Sequence, residues 1–151
     1  MRSVQQALTA GAAVLIVLIA ACSGISVQTA IYQTLDEARL AGAIDQGWVP
    51  RGLPASRADL REGHLADGRV WATFSFDPRD RSPLEALVGS EIHTGPVECD
   101  PPGRLEWWPL ILRSPIDLAR VNQTGLRLYR GADNRLTFGI NWGQGRVYYW
   151  K

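Results

Sequence analysis

An uncharged apolar run closes on Ile19-Ala20-Ala21-Cys22, and it removes residues 1 to 21 from any account of the fold. Met1 to Gln6 carries one side-chain charge, Arg2, and Ala7 to Ala21 carries none, which is the layout of an export signal. Strongly apolar Val14 to Ile19 gives way to small Ala20 and Ala21 just before the sulfur, as a peptidase cutting beside a lipidated cysteine requires. The pattern predicts a signal peptide over residues 1–21, diacylglycerol on the Cys22 thiol, cleavage before Cys22 and a third acyl chain on the new amine. Each buried methylene contributes about 0.8 kcal/mol, so three chains anchor a protein permanently where one binds marginally.

Two other readings stay open. The stretch from Val4 to Ala21 approaches the length a membrane-spanning helix needs, which would make it a single-pass inner-membrane anchor. Alternatively, Ala20-Ala21 serves a different peptidase and the product is secreted with Cys22 as a free thiol. In all three cases Arg2 stays on the inner, positive side, so the rest of the chain faces the periplasm or beyond. Ser23, where retention signals of the enteric type have Asp, favours the outer membrane over the inner.

Cleavage leaves 130 residues, enough for one domain with its own core. Residues 22–30 read as a lipidated tether and residues 31–151 as a globular head. Only Arg2 is lost from 16 basic residues and all 15 acidic ones remain, so the mature charge balances. No field of one sign argues for nucleic acid or an anionic membrane surface. Cys99 is then the one other cysteine, either a buried inert thiol or half of a disulfide to another chain. Its acidic neighbours Glu98 and Asp100 raise a thiol pKa and speak against a nucleophile.

Thr34-Leu35-Asp36-Glu37 is a capping box, and the apolar stripe Leu35, Ala38, Leu40, Ala41, Ile44 predicts a helix that Gly47 ends. Residues 58–65 and 69–76 flank Asp67-Gly68, a hairpin signal, with Val70, Ala72, Phe74 and Phe76 alternating along the second strand. Ser82-Pro83-Leu84-Glu85 is a second capping box, opening a short helix for Gly89 to end. Residues 105–112 suggest an edge strand interrupted by Pro109, and Ser114 to Asp117 another helical turn. Residues 126–130, 136–141 and 146–150 form a three-stranded meander. The fold class predicted is α+β: a single small domain with an antiparallel sheet, built from the hairpin and the meander and covered by two or three short helices.

The residues Leu35-Asp36-Glu37-Ala38, Gly42, Gly47-Trp48-Val49-Pro50, Leu53-Pro54, Ser56, Glu62, His64, Trp71, Phe74-Ser75-Phe76 and Tyr148-Tyr149-Trp150 carry a resemblance. The chain resembles small uncharacterised bacterial lipoproteins with a YbbD-type head domain, over most of residues 30 to 151. Its most specific part is Gly47-Trp48-Val49-Pro50, and it departs from the group at Asp67-Gly68-Arg69, where Asp-Thr-Asn is expected. The resemblance implies a fold and an envelope location, and brings no activity with it.

Chemistry-bearing patterns are sparse. The two histidines, His64 and His93, form no ligand pair one helical turn apart, so no metal is expected, and no glycine loop cradles a phosphate, so no cofactor is expected. Glu62, His64 and Asp67 fall on or beside the predicted hairpin, and a regular strand puts Glu62 and His64 on one face as an acid–base pair. The bland reading is a solvated face with a structural hydrogen bond. Glu91-Ile92-His93 reads as a surface histidine in a loop. Six tryptophans are a high load: Trp48 and Trp71 suit the core, while Trp107, Trp108 and Tyr149 are candidates for binding a partner, with burial between sheet and helices as the competing reading.

The expectation is an envelope-anchored lipoprotein, held to lipid through acylated Cys22, whose head is a non-catalytic binding or accessory module for an envelope protein or a peptidoglycan or other glycan partner. The alternative is a small hydrolase of an envelope polymer using Glu62, His64 and Asp67.

Overall fold

The computed structural model describes residues 26–151, so the signal peptide expected over residues 1–21 and the lipidated Cys22 lie outside the described residues. No helix among the described residues is long and apolar enough to cross a membrane. The elements are β1 (Gln28–Tyr32), α1 (Leu35–Leu40), β2 (Ala58–His64), β3 (Val70–Ser75), α2 (Ser82–Leu87), β4 (Val88–Glu91), a 3-10 turn (Leu110–Leu112), α3 (Leu118–Gln123), β5 (Arg127–Gly131), β6 (Thr137–Asn141) and β7 (Arg146–Trp150).

All seven strands join one antiparallel sheet in the order β1-β2-β3-β7-β6-β5-β4. The expected hairpin is β2–β3, turning at Asp67-Gly68, and the expected meander is β5–β6–β7. They fuse where β3 pairs with β7, Trp71 opposite Trp150 and Phe74 opposite Val147. Two edge strands are added that the sequence did not announce. β1 takes in Gln28, Thr29 and Ala30, assigned above to the tether, and pairs Ala30 with Glu62. β4 follows α2 directly, so Gly89 lies in a strand and ends no helix.

The two capping boxes fare differently. At α1 the Thr34 side chain accepts from the Glu37 N–H while Glu37 accepts from the backbone N–H of Gln33 and Thr34. The helix stops at Leu40, well before Gly47, because Gly42 adopts φ +78° and closes a Schellman motif: Ala43 N–H bonds to the Ala38 carbonyl and Gly42 N–H to that of Arg39. A stripe with helical spacing thus continues as turns through Gly47. At α2 the cap is Arg81 with no side-chain hydrogen bond, Pro83 sits in the first turn, and Glu85 pairs with Arg81 at 2.7 Å.

Both faces of the sheet are covered, so neighbouring aromatics on one strand, such as Tyr149 and Trp150, are both buried although they point to opposite faces. Along β3 and β7, Ala72, Phe74, Val147 and Tyr149 face one core with Ala38, Ile44, Val49 and Leu84 from α1, the following turns and α2. Trp71 and Trp150 face the other, with Leu105, Trp108, Leu112 and Val121 from the segment that ends in α3. That segment holds no strand over residues 105–112; it is a run of turns and the 3-10 turn, because its prolines and buried indoles pack it across the sheet face instead of along an edge. α3 begins at Asp117, whose carboxylate accepts from the Arg120 N–H.

Candidate functional site

Strand periodicity places Leu60, Glu62 and His64 on the face under α1. Glu62 occupies a row that runs Ala30, Glu62, Ala72, Tyr149 across four strands. The two alanines leave a notch, and the carboxyl lies in it with no solvent exposure. His64 Nδ1 is 2.6 Å from Glu62 Oε1. The Trp48 ring stacks on the imidazole at 3.4 Å between centroids and 14° between planes. Tyr149 Oη donates to the Trp48 carbonyl at 2.9 Å, tying the loop of Gly47-Trp48-Val49-Pro50 to the middle of the sheet.

The electrostatics are those of a sealed polar cluster. Burial raises the Glu62 carboxyl above its ordinary range, with the His64 charge and hydrogen bond pulling it back. The Tyr32 phenol is pushed up to about 12, first by burial and then by the negative charge of Glu62. Tyr149 is raised well above its usual value by burial, then by Glu62 and Tyr32. Glu62 Oε2 has no hydrogen-bond partner among the described residues.

The expected pair therefore exists, but neither as a solvated face nor as an accessible acid–base dyad. His64 keeps 7% of its surface, and Trp48 covers the ring. Asp67 does not join them. It sits in the exposed β2–β3 turn, accepting from the Arg69 backbone and guanidinium, and those bonds lower its pKa. His93 is exposed, with its ring 3.8 Å from Glu91. Among the described residues no three His, Cys, Asp or Glu side chains group as metal ligands.

The aromatic candidates are corrected in part. Tyr149 is fully buried and Trp108 nearly so, packed edge-to-face against Tyr148 and Trp150, so neither presents a surface to a partner. Trp107 is half-buried. Cys99 is buried too, its thiol pushed up to about 12 chiefly by that burial; it is an inert thiol, inaccessible to a disulfide with another chain.

Sequence reasoning misses Tyr32, which lies in an edge strand without a core pattern, and the role of Trp48, which the sequence assigns only to the core. The signal for Trp48 was its place in the glycine- and proline-bounded run 47–50. The same run forms one wall of a cleft of about 300 Å³, facing the β5–β6 turn.

Residues 27–75 match the family model of the YbbD head domain. This span is narrower than the resemblance over residues 30 to 151, and it holds β1 to β3 together with Tyr32, Trp48, Glu62 and His64. The sealed cluster falls inside the matched span except for Tyr149. No curated protein and no solved structure matches the chain.

Proposed function

We propose that the protein is a bacterial envelope lipoprotein, anchored through Cys22 and facing the periplasm from the outer membrane, whose head is a non-catalytic binding or accessory module for an envelope partner. The address rests on the sequence around Ile19-Ala20-Ala21-Cys22. The observation that carries the head's role is the closure of the Glu62–His64 pair under Trp48, with Glu62 wholly buried. A general acid or base must come within hydrogen-bond reach of the proton it moves, and this pair offers a substrate no such approach. Its effect is instead to hold the 47–50 loop on the sheet. The hydrolase alternative also needs Asp67, whose carboxylate is engaged by Arg69 in the turn.

The anchor is tested by labelling cells with a fatty-acid analogue and reading the mature amino terminus by mass spectrometry. Label on Cys22 and loss of residues 1–21 are expected, both abolished in Cys22→Ala; an intact Met1 or an unmodified Cys22 overturns the anchor. The head is tested by incubation with peptidoglycan. No turnover is expected, and turnover that disappears in Glu62→Gln, His64→Ala and Asp67→Ala restores the hydrolase.

A further inference from the structure

The cleft beside the 47–50 loop is lined by Gly47, Val49, Pro50 and Arg51 of that segment, by Leu87 of α2, and by Asp133, Arg135 and Leu136 of the β5–β6 turn. Its charges are unevenly employed. Asp133 is turned to its own turn, accepting the Arg135 backbone N–H at 3.0 Å. Arg51 reaches Asp45 at 3.0 Å, but both side chains are more than 70% exposed, so the pair is screened and weak. The Arg135 guanidinium has no carboxylate within ion-pairing distance among the described residues. It leans over Gly47, where a Cβ would sit 3.6 Å from Nη2, and Gly47 itself adopts φ +75°. Lys151 also lines the cleft, but its ammonium lies by the Gly68 turn, 3.9 Å from where a Cβ there would lie.

We infer that this cleft is a binding site for the carboxylate end of a short peptide, held by Arg135 and Arg51. A planar guanidinium meets a carboxylate with two parallel hydrogen bonds, and two such forks line this cleft. The apolar walls, Val49, Pro50, Leu87 and Leu136, take the short carbon body behind the carboxylate, and about 300 Å³ is the small end of ligand sites, suited to a terminal group. Inorganic phosphate has no carbon body to fill those walls, so the apolar lining favours a peptide carboxylate over it. The inference rests on the binding-module reading and names its ligand class.

The test is an NMR titration of the full-length chain in detergent with N-acetyl-alanyl-alanine, its carboxamide analogue and inorganic phosphate, read at the Gly47 amide and the Arg135 Nε–H. Saturable shifts with the acid and none with the amide are expected, and Arg135→Gln weakens binding about tenfold or more through loss of a charge-assisted bidentate contact. Leu87→Trp, which fills the cleft and keeps both guanidiniums, abolishes binding. No response to the acid, equal response to the amide, stronger binding of phosphate, or undiminished binding in Arg135→Gln overturns the proposal. Any of those leaves the binding-module reading standing, because that reading falls on turnover of peptidoglycan.

Discussion

The two faces of the sheet are covered by unlike means. Under α1 and α2 lies a core that admits an ionisable pair, Glu62 and His64, with one carboxyl oxygen unpartnered. The opposite face is covered by turns and α3, and two of its three buried indoles are met by carbonyls: Trp108 Nε1 donates to Leu112 and Trp150 Nε1 to Glu98, each at 2.9 Å, while Trp71 Nε1 has no partner among the described residues. A buried charge lowers stability unless it is paired, whereas a buried indole bonded to a backbone carbonyl adds its full apolar area. The far face is the stabilising one, and the near face holds the loop that walls the cleft.

The largest effect expected is therefore on the far face. Trp108 contacts Trp107, Tyr148 and Trp150 edge-to-face at 5.7–6.1 Å, and Trp108→Ala empties the centre of that cage. A loss of about 3–5 kcal/mol is expected in chemical denaturation. A loss below 1 kcal/mol would break the comparison.

The near face answers next. His64→Leu leaves both Glu62 oxygens without a hydrogen-bond partner, with an expected loss of about 1–3 kcal/mol, and adding Glu62→Gln recovers part of it. Glu62→Gln alone fixes the sign with pH. Because the folded carboxyl titrates above its ordinary 4.5, the stability it contributes is present below pH 4.5 and is lost as pH rises through the raised value. The variant does not titrate there, so it gains on the parent from pH 4 toward neutrality. Denaturation midpoints across that range check it; a parent that gains on Glu62→Gln with rising pH would make Glu62 a stabilised carboxylate.

Legibility divides along the same line. The hairpin, the meander and the start of α1 were readable because their signals are local: Asp67-Gly68 in one turn, period-two alternation in β3, a hydroxyl and a carboxylate three residues apart. Placing Glu62 and His64 on one face needed only strand periodicity. Their burial was not readable, because it comes from β1, from Ala72 on the next strand and from Trp48, each fixed by pairing across the sheet and not by neighbours in sequence. β1 itself, Gln28 to Tyr32, is short and mostly exposed, so it shows no core pattern. Residues 105–112 carry the apolar content of a strand, and only the far face they pack upon makes them turns.

The smallest effect separates two helix starts that look the same in sequence. Both Thr34-x-x-Glu37 and Ser82-x-x-Glu85 fit the capping box, yet of the two only the Thr34 hydroxyl oxygen caps its helix, accepting the Glu37 N–H at 3.1 Å, while α2 is capped at Arg81 without a side-chain bond. Thr34→Ala should cost about 1 kcal/mol, the typical worth of such a cap, and Ser82→Ala close to nothing. Urea denaturation of the two variants at neutral pH distinguishes them. Equal losses would mean that α2 is also held by its local cap, and the near-face cover would then be written entirely in local sequence. The unequal result puts α2 in place through Leu84, which is fully buried against the sheet, and through the direct run of the helix into β4. Even the legible cover of the near face would then depend on the sheet it packs against.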